Sequence, residues 1–303
     1  MASTQSLRQS AAEVDEPTSD GPLDGLAAPA VSAGPRPEAS FGPIAMHHVR
    51  RGHGKPLLLL HGIGGSWQSW QPIIDELARE RAVIALDLPG FGRSGGLAVP
   101  LSVPHLADQV TAFLRGHGLV GVDVAGVSMG GRLALELSRR GVVGTTVALD
   151  PEGFWTSRQR LLFYWSVRAA DRVLRSLRGR LPGLLARRSF RSLLLLHVSP
   201  RPWRLEPDIV VDELNRRASG PSLVPSLRSI TFGPPPLGLG ASASSRKIVL
   251  GWGRHDRLCR PGQARRVLQL FPTARLHWFE QAGHVPLWDC PEATARLILD
   301  STA

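Results

Sequence analysis

The chain has 303 residues, of which 43% are hydrophobic and 20% are charged, and this globular composition excludes a disordered or fibrous protein. Two cysteines are too few for a disulfide scaffold, and no apolar run approaches the ~20 residues of a membrane-spanning helix. The formal net charge is +11, and 15 arginines against six acidic residues between positions 151 and 240 carry most of it.

No targeting or cofactor-binding motif is visible. The first residues lack the basic start and apolar core of a secretory signal, so we expect a cytoplasmic protein. The sequence has no C-x-x-C, H-E-x-x-H or Walker-type loop, and we therefore expect no metal, nucleotide or other cofactor. Because no recognition motif accompanies the arginines, we expect no nucleic-acid partner.

In chain order, the first segment is residues 1–43, which are rich in Ala, Ser, Pro and Gly and predict a disordered tail. From residue 44 onward, short apolar runs alternate with helical patterns. The pattern predicts strands at 45–50, 56–60, 82–86, 122–125, 145–149, 248–251 and 275–279. It predicts helices between them at 67–81, 103–116, 129–140, 261–270 and 291–298.

The central strands are continuously apolar, which is typical of parallel strands buried on both faces. We therefore predict an α/β fold with a doubly wound, mostly parallel sheet, formed by residues 44–150 and 246–303. Residues 151–245 have no convincing strand but show helical patterns at 157–180, 184–196 and 208–218. We interpret them as a helical cap over the carboxyl edge of the sheet, where open α/β folds bind ligands.

The segment Gly126-Val127-Ser128-Met129-Gly130 lies directly between a predicted strand and a predicted helix. A sharp strand-to-helix turn lifts a serine hydroxyl above the sheet, and flanking glycines avoid Cβ clashes in that turn. The following helix also directs its amino terminus at the reacting centre, where it favours negative charge. The context predicts that Ser128 is a catalytic nucleophile.

A serine nucleophile needs a base and a group that orients the base, and both follow later strands. His284 follows the last predicted strand, and Asp256 follows the strand before it, so both lie at the same sheet edge as Ser128. His255 is a rival base by adjacency, and Asp150, after the strand at 145–149, is a rival acid. We favour His284 and Asp256.

The third element is the glycine-rich segment 61–65, which follows the strand at 56–60. Ester chemistry needs two backbone N–H groups aimed at the developing oxyanion, one from the residue after the nucleophile and one from such a loop. The expected donors are Met129 and Ile63.

These segments, in this order, resemble the α/β-hydrolase superfamily, as does the turn-like segment 87–95. The resemblance covers residues 46–296 and implies a Ser–His–Asp hydrolase with a helical cap between the family's sixth and seventh strands. Only one short strand precedes position 56, so the family's first antiparallel strands are expected to be partly missing. The family's sixth strand is then the segment 145–149.

The motifs are shared by several serine-dependent members of the superfamily, and among them we predict hydrolysis of a carboxylic ester through an acyl-enzyme. Thioesters and the C–C bond of a meta-cleavage product are alternatives on the same triad, and the second requires a cap arginine for the substrate carboxylate. An alternative of another class is a non-catalytic receptor that binds a ligand in the pocket.

The arginines and apolar residues of the cap indicate which partners the protein has. Arg168, Arg172, Arg175 and Arg178 recur at helical spacing, so we expect them on one face, with apolar residues covering the cleft. A solvated basic face is favoured, and contact with an anionic membrane is the alternative. We expect a small apolar acyl or ester substrate, and we place Trp155 and Trp288 in its pocket.

Overall fold

The computed structural model describes residues 44–96, 101–219, 223–239 and 246–303. The predicted tail at 1–43 and the end of the predicted cap at 240–245 lie outside the described residues.

All seven predicted strands form and join in a single sheet. They are β1 (His48–Arg51), β2 (Pro56–Leu60), β3 (Ala82–Leu86), β4 (Asp123–Val127), β5 (Thr146–Leu149), β6 (Ile248–Gly253) and β7 (Arg275–Phe279). Their spatial order is β1-β3-β2-β4-β5-β6-β7, and β1 alone among them pairs antiparallel. The predicted mostly parallel α/β fold is confirmed.

The apolar runs form strands because both of their faces are covered. In β2, Leu57 and Leu59 face one apolar cluster, while Leu58 and Leu60 face the other, and all four are fully buried. A run without polar alternation is stable only in the middle of such a three-layer structure. The order of the strands brings the carboxyl ends of β2, β4, β5 and β6 together at the centre of one edge.

The helices follow the predicted pattern with some differences. They are α1 (Ile74–Leu77), α2 (Val103–Gly116), α3 (Met129–Arg140), α4 (Ser157–Leu177), α5 (Leu181–Leu185), α6 (Arg188–Leu195), α7 (Pro207–Ser219), α8 (Leu223–Phe232), α9 (Ala264–Leu270), α10 (Pro286–Asp289) and α11 (Pro291–Thr302). The predicted helix at 67–81 is a 3₁₀ turn followed by α1, since Pro72 between them supplies no backbone donor. The helix predicted at 184–196 is divided between α5 and α6, the helix predicted at 261–270 begins as a 3₁₀ turn before α9, and neither α8 nor α10 was predicted.

The five helices α4 to α8 lie between β5 and β6, and we call this segment the cap. It has an apolar cluster of its own, which includes Leu174, Leu181, Leu195 and Leu214. Helix α4 packs against α7 and α8. No helix among the described residues is both long and apolar enough to cross a membrane.

Candidate active site

Ser128 lies at the sharp turn between β4 and α3. Its backbone has a φ of 55°, a left-handed conformation that is rare outside glycine and occurs at functional turns. The close passage of the chain requires the flanking glycines: a Cβ on Gly126 would lie well under 3.0 Å from the Gly130 carbonyl oxygen. A Cβ on Gly130 would clash in the same way with the Leu60 carbonyl. The local sequence therefore determines the turn that raises the serine above the sheet.

The three predicted side chains of the triad meet at the carboxyl edge of the sheet. Ser128 Oγ lies 3.1 Å from His284 Nε2, and His284 Nδ1 lies 2.8 Å from Asp256 Oδ2. The second oxygen of Asp256, Oδ1, accepts hydrogen bonds of 2.8 Å from the backbone N–H groups of Leu258 and Cys259. All three triad residues are buried. With Nδ1 protonated toward Asp256, the imidazole presents its Nε2 lone pair to the serine hydroxyl.

Asp150, the rival acid, lies behind the triad and does not contact the histidine. It is fully buried with a φ of 43°, and its Oδ1 accepts a 2.9 Å hydrogen bond from Gly253 N–H. Burial, followed by the negative charge of Asp256, raises the pKa of Asp150 well above its ordinary value. The rival base His255 is exposed and has no contact with Ser128 among the described residues. The hydrogen bonds thus join Asp256 to His284.

The glycine-rich loop after β2 runs next to the serine. A Cβ built on Gly62 would lie 3.3 Å from Ser128 Cβ, and Ile63 lines the cavity in front of the serine. Met129 is the first residue of α3, so its N–H has no partner within the helix. In the part of the chain that the structure describes, neither this N–H nor that of Ile63 donates a hydrogen bond within the protein.

His61 fixes this loop, a role that the sequence did not reveal. Its Nε2 accepts a 3.0 Å hydrogen bond from Leu88 N–H, and its Nδ1 lies 2.7 Å from the Gly62 carbonyl oxygen. Burial lowers the pKa of His61, so the ring is neutral at neutral pH, with the proton on Nδ1. The ring thereby connects the loop after β2 with the segment after β3.

A cleft with about 1090 Å³ of empty space, part of it open to solvent, lies between the triad and the cap. Its walls are mainly apolar and include Phe163, Val167, Leu174, Leu214 and Leu223 from the cap. Of the two tryptophans predicted for the pocket, Trp288 lines the cleft. Trp155 does not: it stacks on Phe163 with the ring centroids 4.7 Å apart, and Phe163 reaches the cleft in its place.

A charged cluster lines the cleft on the cap side. The Glu213 carboxylate accepts hydrogen bonds from Ser69 Oγ at 3.0 and 3.1 Å, from Arg216 at 2.9 Å and from Arg217 at 3.0 Å. Burial opposes ionisation of Glu213, but the charges and hydrogen bonds of the two arginines outweigh it, so the pKa of this carboxyl is lowered. The three- and four-residue spacing of these residues in α7 is the signal by which the pairs could have been predicted.

Glu152 lies directly behind Ser128. Its backbone N–H donates a 3.3 Å hydrogen bond to the Ser128 carbonyl, and its carboxyl is buried 3.7 Å from Arg132. Burial raises the pKa of Glu152 to about 7, against the opposing charges of Arg132 and His284.

One group of side chains among the described residues has the donor spacing of a metal site. Donor atoms of Asp256, Cys259 and His284 lie within 4.8 Å of one another. Two of these residues hydrogen bond to each other, and burial raises the pKa of the Cys259 thiol well above its ordinary value, which disfavours the thiolate that binds metals. The arrangement fits a proton relay better than a metal centre.

Comparison with known proteins gives one family. Residues 57–297 match the sequence model of the Alpha/beta hydrolase family. An (E)-2-((N-methylformamido)methylene)succinate hydrolase from Acinetobacter baylyi is 34% identical over 92 residues, which cover 30% of this chain and 35% of that protein. A 2-hydroxy-6-oxo-2,4-heptadienoate hydrolase from Pseudomonas putida is 39% identical over 103 residues, covering 31% of this chain and 35% of the relative. The matched segments therefore span about a third of each relative.

Solved structures resemble the whole fold. A thermophilic esterase from Thermogutta terrifontis superimposes with a TM-score of 0.67 and covers 87% of this chain and 94% of its own, with 22% sequence identity. At this identity the likeness establishes the fold alone.

Proposed function

The chain belongs to the Alpha/beta hydrolase family, and we propose that it is a serine hydrolase that cleaves carboxylic esters through an acyl-enzyme. The observation that carries this proposal is the continuous hydrogen-bonded path from Ser128 through His284 to Asp256, which opens into an apolar cleft. A carboxylate at the position of the serine would instead be expected of an epoxide hydrolase.

The proposed reaction has two halves. Ser128 Oγ attacks the ester carbonyl while His284 Nε2 takes the hydroxyl proton, and Asp256 stabilises the resulting imidazolium. The N–H groups of Met129 and Ile63 donate to the tetrahedral oxyanion, and His284 returns the proton to the departing alkoxide. In the second half His284 activates water, which attacks the acyl-enzyme and releases the acid.

Labelling with a fluorophosphonate, followed by assay with p-nitrophenyl esters of rising acyl length, tests the proposal. The wild type should label and turn over at least one ester, and Ser128→Ala should lose the label and several orders of magnitude of turnover. Ser176→Ala, which changes an exposed serine of α4, is the matched control and should behave as the wild type. A folded wild type that binds esters without labelling or turnover would contradict the proposal and support a receptor.

Cleavage of a C–C bond is a second candidate because Arg217, a cap arginine, lines the cleft. That chemistry requires a cation for the substrate carboxylate, and the Pseudomonas putida relative named above is a dienoate hydrolase. Arg217 is already paired with Glu213, which favours the ester reaction. The test compares the esters with a 2-hydroxy-6-oxodienoate, whose cleavage is followed by its loss of absorbance. Cleavage of this compound faster than that of every ester tested, with no cleavage in Arg217→Gln, would favour the C–C reaction over the ester reaction.

A further inference from the structure

Helix α4 has an apolar strip on its outward face, opposite the side that covers the cleft. Its inward face supplies Phe163, Val167 and Leu174 to the cleft. The outward face exposes Leu162, of which 62% is accessible, and Trp165, of which 59% is accessible. At helical spacing around these two lie the exposed Leu161, Ala169 and Val173. The helix is therefore apolar on two opposite sides, and the residues that the structure describes cover only one of them.

Cationic groups border the strip. Arg158, Arg168 and Arg172 are exposed on the same outward face, and the Arg168 guanidinium lies 5.6 Å from the Trp165 ring centroid. Among the described residues, no carboxylate forms an ion pair with any of the three. The one acidic residue of α4, Asp171, is buried and pairs with Arg175, which is thereby turned away from the face on which it was predicted.

We propose that this outward face of α4, defined by Leu161, Leu162, Trp165, Ala169 and Val173 with the arginines at 158, 168 and 172, docks on an anionic lipid surface. Apolar side chains in one strip, with an aromatic ring and bordering arginines, match a surface that is apolar inside and negatively charged at its headgroups. The docking does not depend on catalysis by Ser128.

Co-sedimentation of the full chain with vesicles tests this proposal. The vesicles are pure phosphatidylcholine in one arm and phosphatidylcholine with 30% phosphatidylglycerol in the other. We expect binding to the anionic vesicles that weakens as salt rises and is the same in Ser128→Ala. The Ser128→Ala arm separates a failure of docking from a failure of the proposed hydrolysis.

Two sets of substitutions separate the apolar strip from the charges. Leu162→Gln with Trp165→Gln should reduce the partition coefficient at least about tenfold, because two half-exposed apolar side chains no longer enter the lipid. Replacing Arg158, Arg168 and Arg172 by Gln should reduce binding to anionic vesicles about fivefold per arginine and leave the neutral arm unchanged. Val120→Gln, which alters an apolar residue that is 55% exposed outside the cap, is the control and should bind as the wild type.

Three results would overturn the proposal. They are no binding to either kind of vesicle, equal binding by wild type and both sets of variants, or a concentration-dependent dimer that the Leu162→Gln and Trp165→Gln changes dissociate. The last result, measured by sedimentation velocity without lipid, would assign the face to a second copy of the chain. Far-UV circular dichroism of every variant, Ser128→Ala included, shows that it is folded.

Discussion

Replacing Glu152 by glutamine should remove a pH dependence of folding stability that its buried carboxyl creates. The pKa of this carboxyl is raised from about 4.5 to about 7, chiefly because burial penalises the charged form. The positive charges of Arg132 and His284 oppose this effect without cancelling it. The unfolded chain exposes the same carboxyl to water, where it titrates near its ordinary value.

The sign follows from which state binds the proton more tightly. Because the folded-state pKa is the higher one, the contribution of Glu152 to stability is complete below pH 4.5 and is lost as the pH rises through 7. Each pH unit between the two pKa values changes the free energy of unfolding by about 1.4 kcal/mol, which amounts to about 3 kcal/mol in all. Glutamine has nearly the same shape and does not titrate. The stability of Glu152→Gln relative to the wild type should therefore rise by about 3 kcal/mol between pH 4.5 and pH 8.

Urea unfolding followed by circular dichroism at four pH values measures this difference. Ser176→Ala is the control, because neither serine nor alanine titrates in this range and Ser176 is exposed, so its difference from the wild type should be the same at every pH. Other buried groups also titrate in this range, but they are present in both proteins and cancel in the comparison. A difference between Glu152→Gln and the wild type that does not change with pH would refute the reasoning, since it would mean that the folded carboxyl ionises as freely as the unfolded one.

Three further predictions follow from the site. Asp256→Asn should lower kcat by about 10³- to 10⁴-fold. Asp150→Asn alters a carboxyl behind the triad, and its kcat should stay within about tenfold of the wild-type value. If the ester assay gave the larger loss for Asp150→Asn, Asp150 would be the acid of the triad. Gly130→Ala should lower the free energy of unfolding by at least about 2 kcal/mol, because the added Cβ would clash with the Leu60 carbonyl. Gly116→Ala is the control: its Cβ would point into open space, so the same urea titration should show an unchanged or higher free energy of unfolding. The kcat/KM of a carboxylate-bearing ester should fall as the salt concentration rises, while that of a matched neutral ester should change little. Arg217→Gln should reduce this salt dependence of the charged ester. Equal salt dependences of the two esters would show that the charge of the cap does not act on substrates in the cleft.

The sheet and the triad could be predicted from the sequence because their signals are local. A strand such as β2 is apolar at every position, which is typical of a doubly covered strand. Ser128 directly follows β4 and Asp256 comes three residues after β6, and both strands are buried throughout. His284 comes after β7, a strand at the edge of the sheet with alternating burial. Strand order did not need to be known, since parallel strands bring their carboxyl ends to the same edge. The clash that requires glycine at position 126 is equally local, because it is with Gly130 in the same turn, whereas the clash at position 130 is with Leu60 of the neighbouring strand β2.

The cap could be predicted as helical but not in detail. Helix α8 begins with Leu223-Val224-Pro225, and its β-branched residues and early proline weaken the helical signal. In α4, periodicity shows apolar residues on more than one side, and only the packing of α7 and α8 decides which side is covered. The interpretation of the outward face as a basic, solvated one was therefore incomplete: the structure places an apolar strip between the arginines. The contact of Trp155 with Phe163 is likewise a matter of packing rather than of pattern.

Hydrogen bonds between the cap and the loops that carry His284 and Asp256 help to position the proposed base. The backbone N–H of His284 donates a 2.8 Å hydrogen bond to the Val198 carbonyl, so a residue of the cap fixes the position of the proposed base. Arg257, next to Asp256, donates to the Leu196 carbonyl at 2.8 Å. A Cβ on Gly283 would clash with the same Val198 carbonyl, so the two segments are already as close as backbones can pack. Because a hydrogen bond weakens steeply when it lengthens, a cap that moved as a rigid lid about this joint would disturb the histidine as it opened. The segment around Val198 is therefore expected to stay attached to the histidine loop when a substrate enters the cleft.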